Sequence, residues 1–277
     1  MSQRRVAALI GSPVAHSLSP AIHQAAFDAA GVAWTYVAFD VASGRAAEAV
    51  DAMRVLGLAG LSVTMPHKHD TAAAVDRLAP AAEALGSVNT VSWDGDELVG
   101  SSTDGAGFVS SLADDGVEIA GAVVAVIGAG GAARSVIDQL GRAGAASVRI
   151  VNRTPERAES ASRLAAVATV GSADDIAGAH IVVNASSVGM GVDPADATAD
   201  RLPCDTALLH AHQVVVDLVY HPLQTAWLLR AEQAGARTID GLGMLIHQAA
   251  LQQQAWLGEL PDVEVMRRAA MAALTAR

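Results

Sequence analysis

Val123-Val124-Ala125-Val126-Ile127-Gly128-Ala129-Gly130-Gly131-Ala132-Ala133 is the stretch that decides the fold. Its apolar, largely β-branched start reads as a buried strand, the glycines break it, and the residues up to about Gly144 carry a helix. A glycine turn between such a strand and a helix lets the main chain approach a pyrophosphate. The helix N-terminus then offers free N–H groups and the positive end of its dipole to the anion. Gly128, Ala129, Gly130, Gly131 and Ala132 are therefore candidate dinucleotide contacts, while Ala133 at the third small position allows close helix packing. An ordinary glycine-rich turn is the competing reading, and the strand-turn-helix context argues against it.

Working outward, the next strand, Ser147–Val151, ends in Asn152-Arg153-Thr154. A site built for NAD carries an acid there for the ribose 2′-hydroxyl. Arg153, with Asn152, Thr154 and Arg157, instead offers a guanidinium and a hydroxyl suited to a 2′-phosphate, which points to NADP. The bland alternative is a solvated surface arginine. Strand, turn and helix repeat through Asp217, and a helix Gln224–Ala234 and a strand Arg237–Ile239 complete that unit. On the other side, strands are expected at Arg5–Ile10, Trp34–Asp40 and Leu61–Thr64, with helices from Pro20 to Ala30 and Arg45 to Val55. A hairpin follows, Asn89–Trp93 and Leu98–Ser101, turned at Asp94-Gly95. Helix is expected from Gly105 to Asp114 and from Gly241 to the C-terminus. This alternation predicts an α/β protein with mainly parallel sheets.

The 277 residues accommodate two ordinary domains. A composition that is 52% hydrophobic and 17% charged, with mean hydropathy +0.33, excludes a disordered chain. No apolar run is long enough to span a membrane, and a cytoplasmic protein without a targeting segment is expected. A net charge of −11 disfavours nucleic acid and anionic membranes as partners. Cys204 stands alone, fits a reducing compartment, and is read as structural.

Four polar clusters lie at strand ends in the first half: His16-Ser17-Leu18-Ser19-Pro20, Ser62-Val63-Thr64-Met65-Pro66-His67-Lys68, Val88-Asn89-Thr90 and Ser102-Thr103-Asp104-Gly105. Singly, each has a bland reading as a helix start or a turn. Together with the glycine turn, Asn152-Arg153-Thr154, Asn184-Ala185-Ser186-Ser187-Val188-Gly189-Met190, Asp217-Leu218-Val219-Tyr220-His221-Pro222 and Gly243-Met244-Leu245 with Gln248, their order resembles the shikimate dehydrogenase family.

That resemblance implies an NADP-dependent oxidoreductase that reduces 3-dehydroshikimate to shikimate on the route to chorismate and the aromatic amino acids. It implies two domains: a substrate-binding α/β domain, residues 1–104 with 241–277, and a Rossmann-type NADP domain, 105–240. The C-terminal helices would return to the first domain. Ser17 and Ser19, with Tyr220 nearby, would hold the substrate carboxylate. Thr64, Asn89, Asp104 and Gln248 would contact ring hydroxyls, Lys68 and Asp104 would form the proton-transfer pair, and Val219 and Gly241 would line the cofactor. A lysine beside a carboxylate suits this chemistry, because its ammonium stabilises a developing alkoxide and exchanges the proton.

Ser62 and Ser102 depart from the family pattern, since many relatives carry asparagine at both. Arg153, Ser17 and Ser19 point away from the quinate and NAD branch. Quinate or aminoshikimate as substrate, and a nucleotide sensor without chemistry, are the alternatives; retention of Lys68 and Asp104 argues against the sensor. The pairs His67/His69 and His210/His212 lack a clear third ligand, so no metal is expected. His16 and His23 are read as structural or supporting groups, and Gln252-Gln253-Gln254 as part of a helix face. A homodimer and a monomer are both open.

Overall fold

The computed structural model describes residues 4–196, 198 and 201–276. In chain order its elements are β1 (Arg5–Gly11), α1 (Ser19–Ala29), β2 (Trp34–Asp40), α2 (Ala46–Leu56), β3 (Gly60–Val63), α3 (Lys68–Ala74), β4 (Arg77–Leu78), α4 (Pro80–Leu85), β5 (Thr90–Asp94) and β6 (Glu97–Ser101). They continue as α5 (Asp104–Asp114), β7 (Val123–Ile127), α6 (Gly131–Arg142), β8 (Ser147–Val151), α7 (Pro155–Ser162), β9 (Ala168–Val170), α8 (Asp174–Ala177) and β10 (Ile181–Asn184). The last are β11 (Val214–Asp217), α9 (Ala226–Gln233), β12 (Arg237–Ile239), α10 (Leu242–Leu257) and α11 (Val263–Thr275).

Contacts divide the chain into two compact units. One holds the residues up to Thr103 together with those from Ile246 onward, and the other is Asp104–Leu245, so that one boundary falls inside α10.

In the first unit the sheet order is β2-β1-β3-β5-β6-β4. β1 runs parallel to β2 and β3, whereas β5 is antiparallel to both β3 and β6. Alternation along β1 sends Ala8 and Ile10 into one apolar cluster and Ala7 and Leu9 into another, which is the pattern of a sheet buried on both faces. Trp256 and Leu257 of α10 pack into the second of these clusters, and α11 lies against α1.

The second unit has the order β12-β11-β10-β7-β8-β9, with every pair parallel. Val124 and Val126 of β7 face one core and Ala125 and Ile127 the other. The order reverses between β7 and β10, and in an open parallel sheet that reversal opens a crevice at the strand C-termini.

The segment after Gly241 is helical, as expected, and forms two helices, α10 and α11, parted where Gly258 takes a left-handed φ of +83° and Pro261 follows it. One region goes beyond the expectation. Between Thr64 and Asn89, where no elements were assigned, α3, β4 and α4 appear; all are too short for a periodic signal.

Candidate active site

The nucleotide turn begins at Gly128, whose φ of +117° suits glycine alone, and a Cβ there would stand 3.0 Å from the Ala185 carbonyl oxygen. Gly130 and Gly131 are exposed, and a Cβ on either meets nothing within 4 Å. No side chain caps the N-terminus of α6, which starts at Gly131. Open space over uncapped amide donors at a helix start fits a pyrophosphate. After β8, the Asn152 side chain donates to the Thr154 carbonyl at 2.9 Å, fixing the turn, while Arg153, Thr154 and Arg157 are exposed. These residues fit a 2′-phosphate, since both cations are accessible and no acid stands at the strand end.

On the opposite side of the β7/β10 reversal, Asp217 is fully buried. Its carboxylate accepts from Asn184 Nδ2 at 2.8 Å, Thr225 Oγ1 at 2.8 Å and Val219 N at 3.1 Å. Burial pushes its pKa up to about 6 despite these donors. Gly241 N donates to the Val219 carbonyl at 3.1 Å. Val219 and the half-buried Tyr220 thus ride on a segment tied both to the end of β11 and to the start of α10.

In the first unit, Asn89 is 2% exposed and forms the centre of a polar array. Its Oδ1 accepts from Thr103 N at 2.9 Å and Thr90 Oγ1 at 2.7 Å, while its Nδ2 donates to Thr103 Oγ1 at 2.9 Å and Gln248 Oε1 at 3.4 Å. Thr103 Oγ1 donates to the Gln248 carbonyl at 3.0 Å. The hairpin strands and α10 therefore meet at one amide cluster, although Asn89 and Gln248 are 159 positions apart. Thr103 was not among the expected site residues; its place between Asn89 and Asp104 is the signal that could have found it.

Lys68 is the first residue of α3 and half-buried. Three main-chain ties hold that helix start: His67 N to Thr64 O at 3.0 Å, Val88 N to Lys68 O at 2.9 Å, and Thr64 N to Ile10 O at 2.9 Å. A fourth comes from the buried His67 ring, whose Nε2 is 2.7 Å from the Val41 carbonyl. Ser19 N donates to Ser17 Oγ at 3.2 Å, so the two serines form one turn at the head of α1. Asp104 follows Thr103 directly and opens α5, 8% exposed.

The comparisons with known proteins agree with this geometry. Residues 9–91 match the family model for the shikimate dehydrogenase substrate binding domain, 111–189 that for shikimate / quinate 5-dehydrogenase, and 241–271 that for the shikimate 5′-dehydrogenase C-terminal domain. A shikimate dehydrogenase (NADP(+)) of Symbiobacterium thermophilum is 44% identical over 98% of this chain and 95% of its own length. The chain belongs to the shikimate dehydrogenase family. Among solved members of that fold, the shikimate 5-dehydrogenase of Thermus thermophilus, in complex with NADP(H) and shikimate, superposes with a TM-score of 0.88. It is 35% identical, covering 97% of this chain and 99% of its own. A ligand-free 5-ketofructose reductase of a Gluconobacter strain also reaches 0.88, at 32% identity over 98% and 99%.

One departure from the shikimate dehydrogenase pattern now has a structural description. Ser62 is 3% exposed, accepts from the Tyr36 hydroxyl and donates to Gln252, each at 2.8 Å. Ser102 is half-buried, and nothing in the structure explains its replacement of asparagine. In each histidine pair a ring is held by the main chain: His69 Nδ1 lies 2.7 Å from Gly86 O, and His210 Nε2 lies 3.0 Å from Ala177 O. Among the described residues no group of three or more His, Cys, Asp or Glu side chains could hold a metal, and no helix is long and apolar enough to cross a membrane.

Proposed function

We propose that this chain reversibly reduces 3-dehydroshikimate to shikimate with NADPH, as a cytoplasmic step toward chorismate. The observation that carries the reading is the Asn89–Thr103–Gln248 array, which gathers Asn89 and Gln248, two of the residues assigned to the ring hydroxyls, from chain segments far apart in sequence.

In this reading Ser17 and Ser19 hold the carboxylate with Tyr220, while Thr64, Asn89, Asp104 and Gln248 grip the ring. Gly128, Ala129, Gly130, Gly131 and Ala132 carry the pyrophosphate, Asn152, Arg153, Thr154 and Arg157 the 2′-phosphate, and Val219 and Gly241 line the cofactor. The bound cofactor supplies a hydride to the carbonyl carbon. Lys68 meets the charge that develops on the carbonyl oxygen and delivers the proton that completes the alcohol. Asp104 orients the Lys68 ammonium and the reacting oxygen. In the oxidative direction the same lysine takes the hydroxyl proton.

Initial rates at the reduced-nicotinamide absorbance band, with shikimate and with quinate, each with NADP or NAD, test the reading. Activity confined to shikimate with NADP is expected. Preference for quinate or NAD would move the chain to the sister activity, and inactivity with all four would favour another ketone or a sensor. The fold likeness to a 5-ketofructose reductase is a specific reason to include that sugar ketone as a fifth arm.

Cofactor choice gives a separate prediction. A charge-assisted bond to phosphate contributes about 1.5–3 kcal/mol, or a factor of roughly 10–150 in binding. Arg153→Glu is accordingly expected to raise the KM for NADPH by about that factor while leaving KM for NADH unchanged or lowered. Equal losses with both cofactors would remove Arg153 from phosphate recognition.

A further inference from the structure

Two neighbouring strands of the second unit end in the same way. Asn184 closes β10 and Asp217 closes β11, and the parallel register sets them opposite one another. Each bends its own chain through its side chain: Asn184 Oδ1 accepts from Ser186 N at 3.1 Å, and Asp217 Oδ1 accepts from Val219 N at 3.1 Å. An oxygen bonded to the N–H two residues on is the turn that asparagine and aspartate make when a regular element stops. Both residues are fully buried.

The two turns are also bonded to each other. Asn184 Oδ1 accepts the Ser186 hydroxyl at 2.7 Å as well, which fixes the amide with its nitrogen on the other side. There Nδ2 donates to Asp217 Oδ1 at 2.8 Å and to the Val188 carbonyl at 3.2 Å. Main-chain bonds run alongside, from Ala185 N to Ile127 O at 2.9 Å and from Leu218 N to Asn184 O at 3.0 Å. The first of these loops backs directly onto the nucleotide turn, since a Cβ on Gly128 would stand 3.0 Å from Ala185 O and 3.2 Å from Ser186 N. At the other end Gly241 N donates to the Val219 carbonyl, and a Cβ on Gly241 would collide with the Leu218 carbonyl. Links therefore run from Gly128 to Gly241, and one buried side-chain bond joins the two loops between them.

The two oxygens of Asp217 serve different ends. Oδ1 serves the turns, whereas Oδ2 accepts from Thr225 Oγ1 at 2.8 Å. Thr225 in turn caps α9 by accepting from Leu228 N at 3.3 Å. The cap steadies a helix, and the turns shape loops beside the glycine turn, so support of the fold and support of binding can be separated by substitution.

We propose that Asn184 and Asp217 are positioning residues for the dinucleotide: the bond between their side chains holds the loops after β10 and β11 as one wall of the nucleotide site. This rests on the reading that the Gly128 turn and Val219 line the cofactor. A network that only steadies the fold would be weakened equally through either oxygen of Asp217.

The test is fluorescence titration of the full chain with NADPH, paired with denaturant unfolding. Asn184→Ser keeps an acceptor for Ser186 N, as serine does in such turns, but its side chain is one bond shorter and loses Asp217. It is expected to raise the Kd for NADPH about tenfold, the scale of one bond to a charged group. Asp217→Ala is expected to lose at least as much. Asp217→Asn recovers most of that loss, because the amide oxygen still accepts from Val219 N and Asn184 Nδ2 while the Thr225 hydroxyl turns to accept from its nitrogen. Thr225→Val lowers the unfolding midpoint but leaves the Kd within about twofold of the parent, since it touches only the α9 cap and Oδ2. An unchanged Kd in Asn184→Ser, a loss in Thr225→Val that matches it, or no recovery in Asp217→Asn overturns the proposal. Should Asp217→Ala not fold, Asn184→Ser against Thr225→Val decides. The reading beneath is tested apart by Gly130→Asp, which sets a carboxylate where the pyrophosphate would lie, at a position with open space for its Cβ. NADPH binding untouched by that change would remove the glycine turn itself from the cofactor site.

Discussion

Lys68→Ala is expected to lower turnover by roughly 10³-fold, the scale of a lost general acid, while NADPH binds as before. The reason lies in how α3 begins. His67 N, Val88 N and Thr64 N make main-chain bonds at that helix start, and the His67 ring reaches Val41 O, so removing the lysine side chain leaves its backbone support in place. In the proposed mechanism, what disappears is the ammonium that meets the oxygen becoming an alcohol. Single-turnover rates and cofactor fluorescence titration separate the two quantities. Turnover within about tenfold of the parent would take Lys68 out of the chemistry and leave Asp104 to account for proton transfer. Loss of NADPH binding in parallel would show a structural cause instead.

The second large effect is on stability in acid. His23 is fully buried and titrates near 3 in the folded protein, against 6.5 ordinarily. Between those values the unfolded chain binds a proton that the folded one refuses. Stability from this group is therefore complete above pH 6.5 and is lost as pH falls toward 3. Asp217 has the opposite sign: its folded pKa of about 6 lies above the usual 3.8, so the folded chain holds the extra proton and acid relieves a cost that is present above pH 6. Because the two oppose each other below pH 6, the His23 contribution has to be isolated by substitution. Denaturant unfolding of the parent and of His23→Gln at about pH 7 and about pH 4 does so. The parent's advantage is expected to shrink by roughly 3 kcal/mol between them. A pH-independent gap would mean that His23 titrates like an exposed imidazole.

How much of this was legible in the sequence depends on how local each signal is. Gly128, Gly130 and Gly131 sit between a strand and a helix that each show their own pattern, so the nucleotide turn could be read from a dozen contiguous residues. Strand β12 and strand β8 have the bounds expected, because β-branched runs bracketed by glycine or polar residues are unambiguous. The buried polar network that joins Tyr36, Ser62 and Gln252 to His23 and Gln253 was not legible. His23, Tyr36, Ser62, Gln252 and Gln253 come from four elements, and the glutamines looked like an ordinary polar helix face. Gln252 and Gln253 are buried, and only Gln254 is exposed. One clue was available: Gln248, Gln252 and Trp256 recur every four residues and so share a face of α10. For Lys68 and Asp104 the chain shows position and burial; their roles came from family resemblance, since spacing alone does not distinguish a proton-transfer lysine from a solvated one.

The discontinuous first unit has a consequence during synthesis. Its sheet is complete once Ser101 has been made, yet the part of α10 that supplies Gln252 and Trp256, and α11, which covers α1, emerge only after the whole of residues 104–245. At roughly 5–20 residues per second on a ribosome, the early strands wait on the order of 10 s with the face that Trp256 and Leu257 cover shielded only by α1 and with Ser62 lacking Gln252. The second unit, continuous in sequence, can close in that interval. A chain stalled just before Ile246 would therefore lack the segment that completes the first unit, and the last roughly thirty residues close a sheet made long before them.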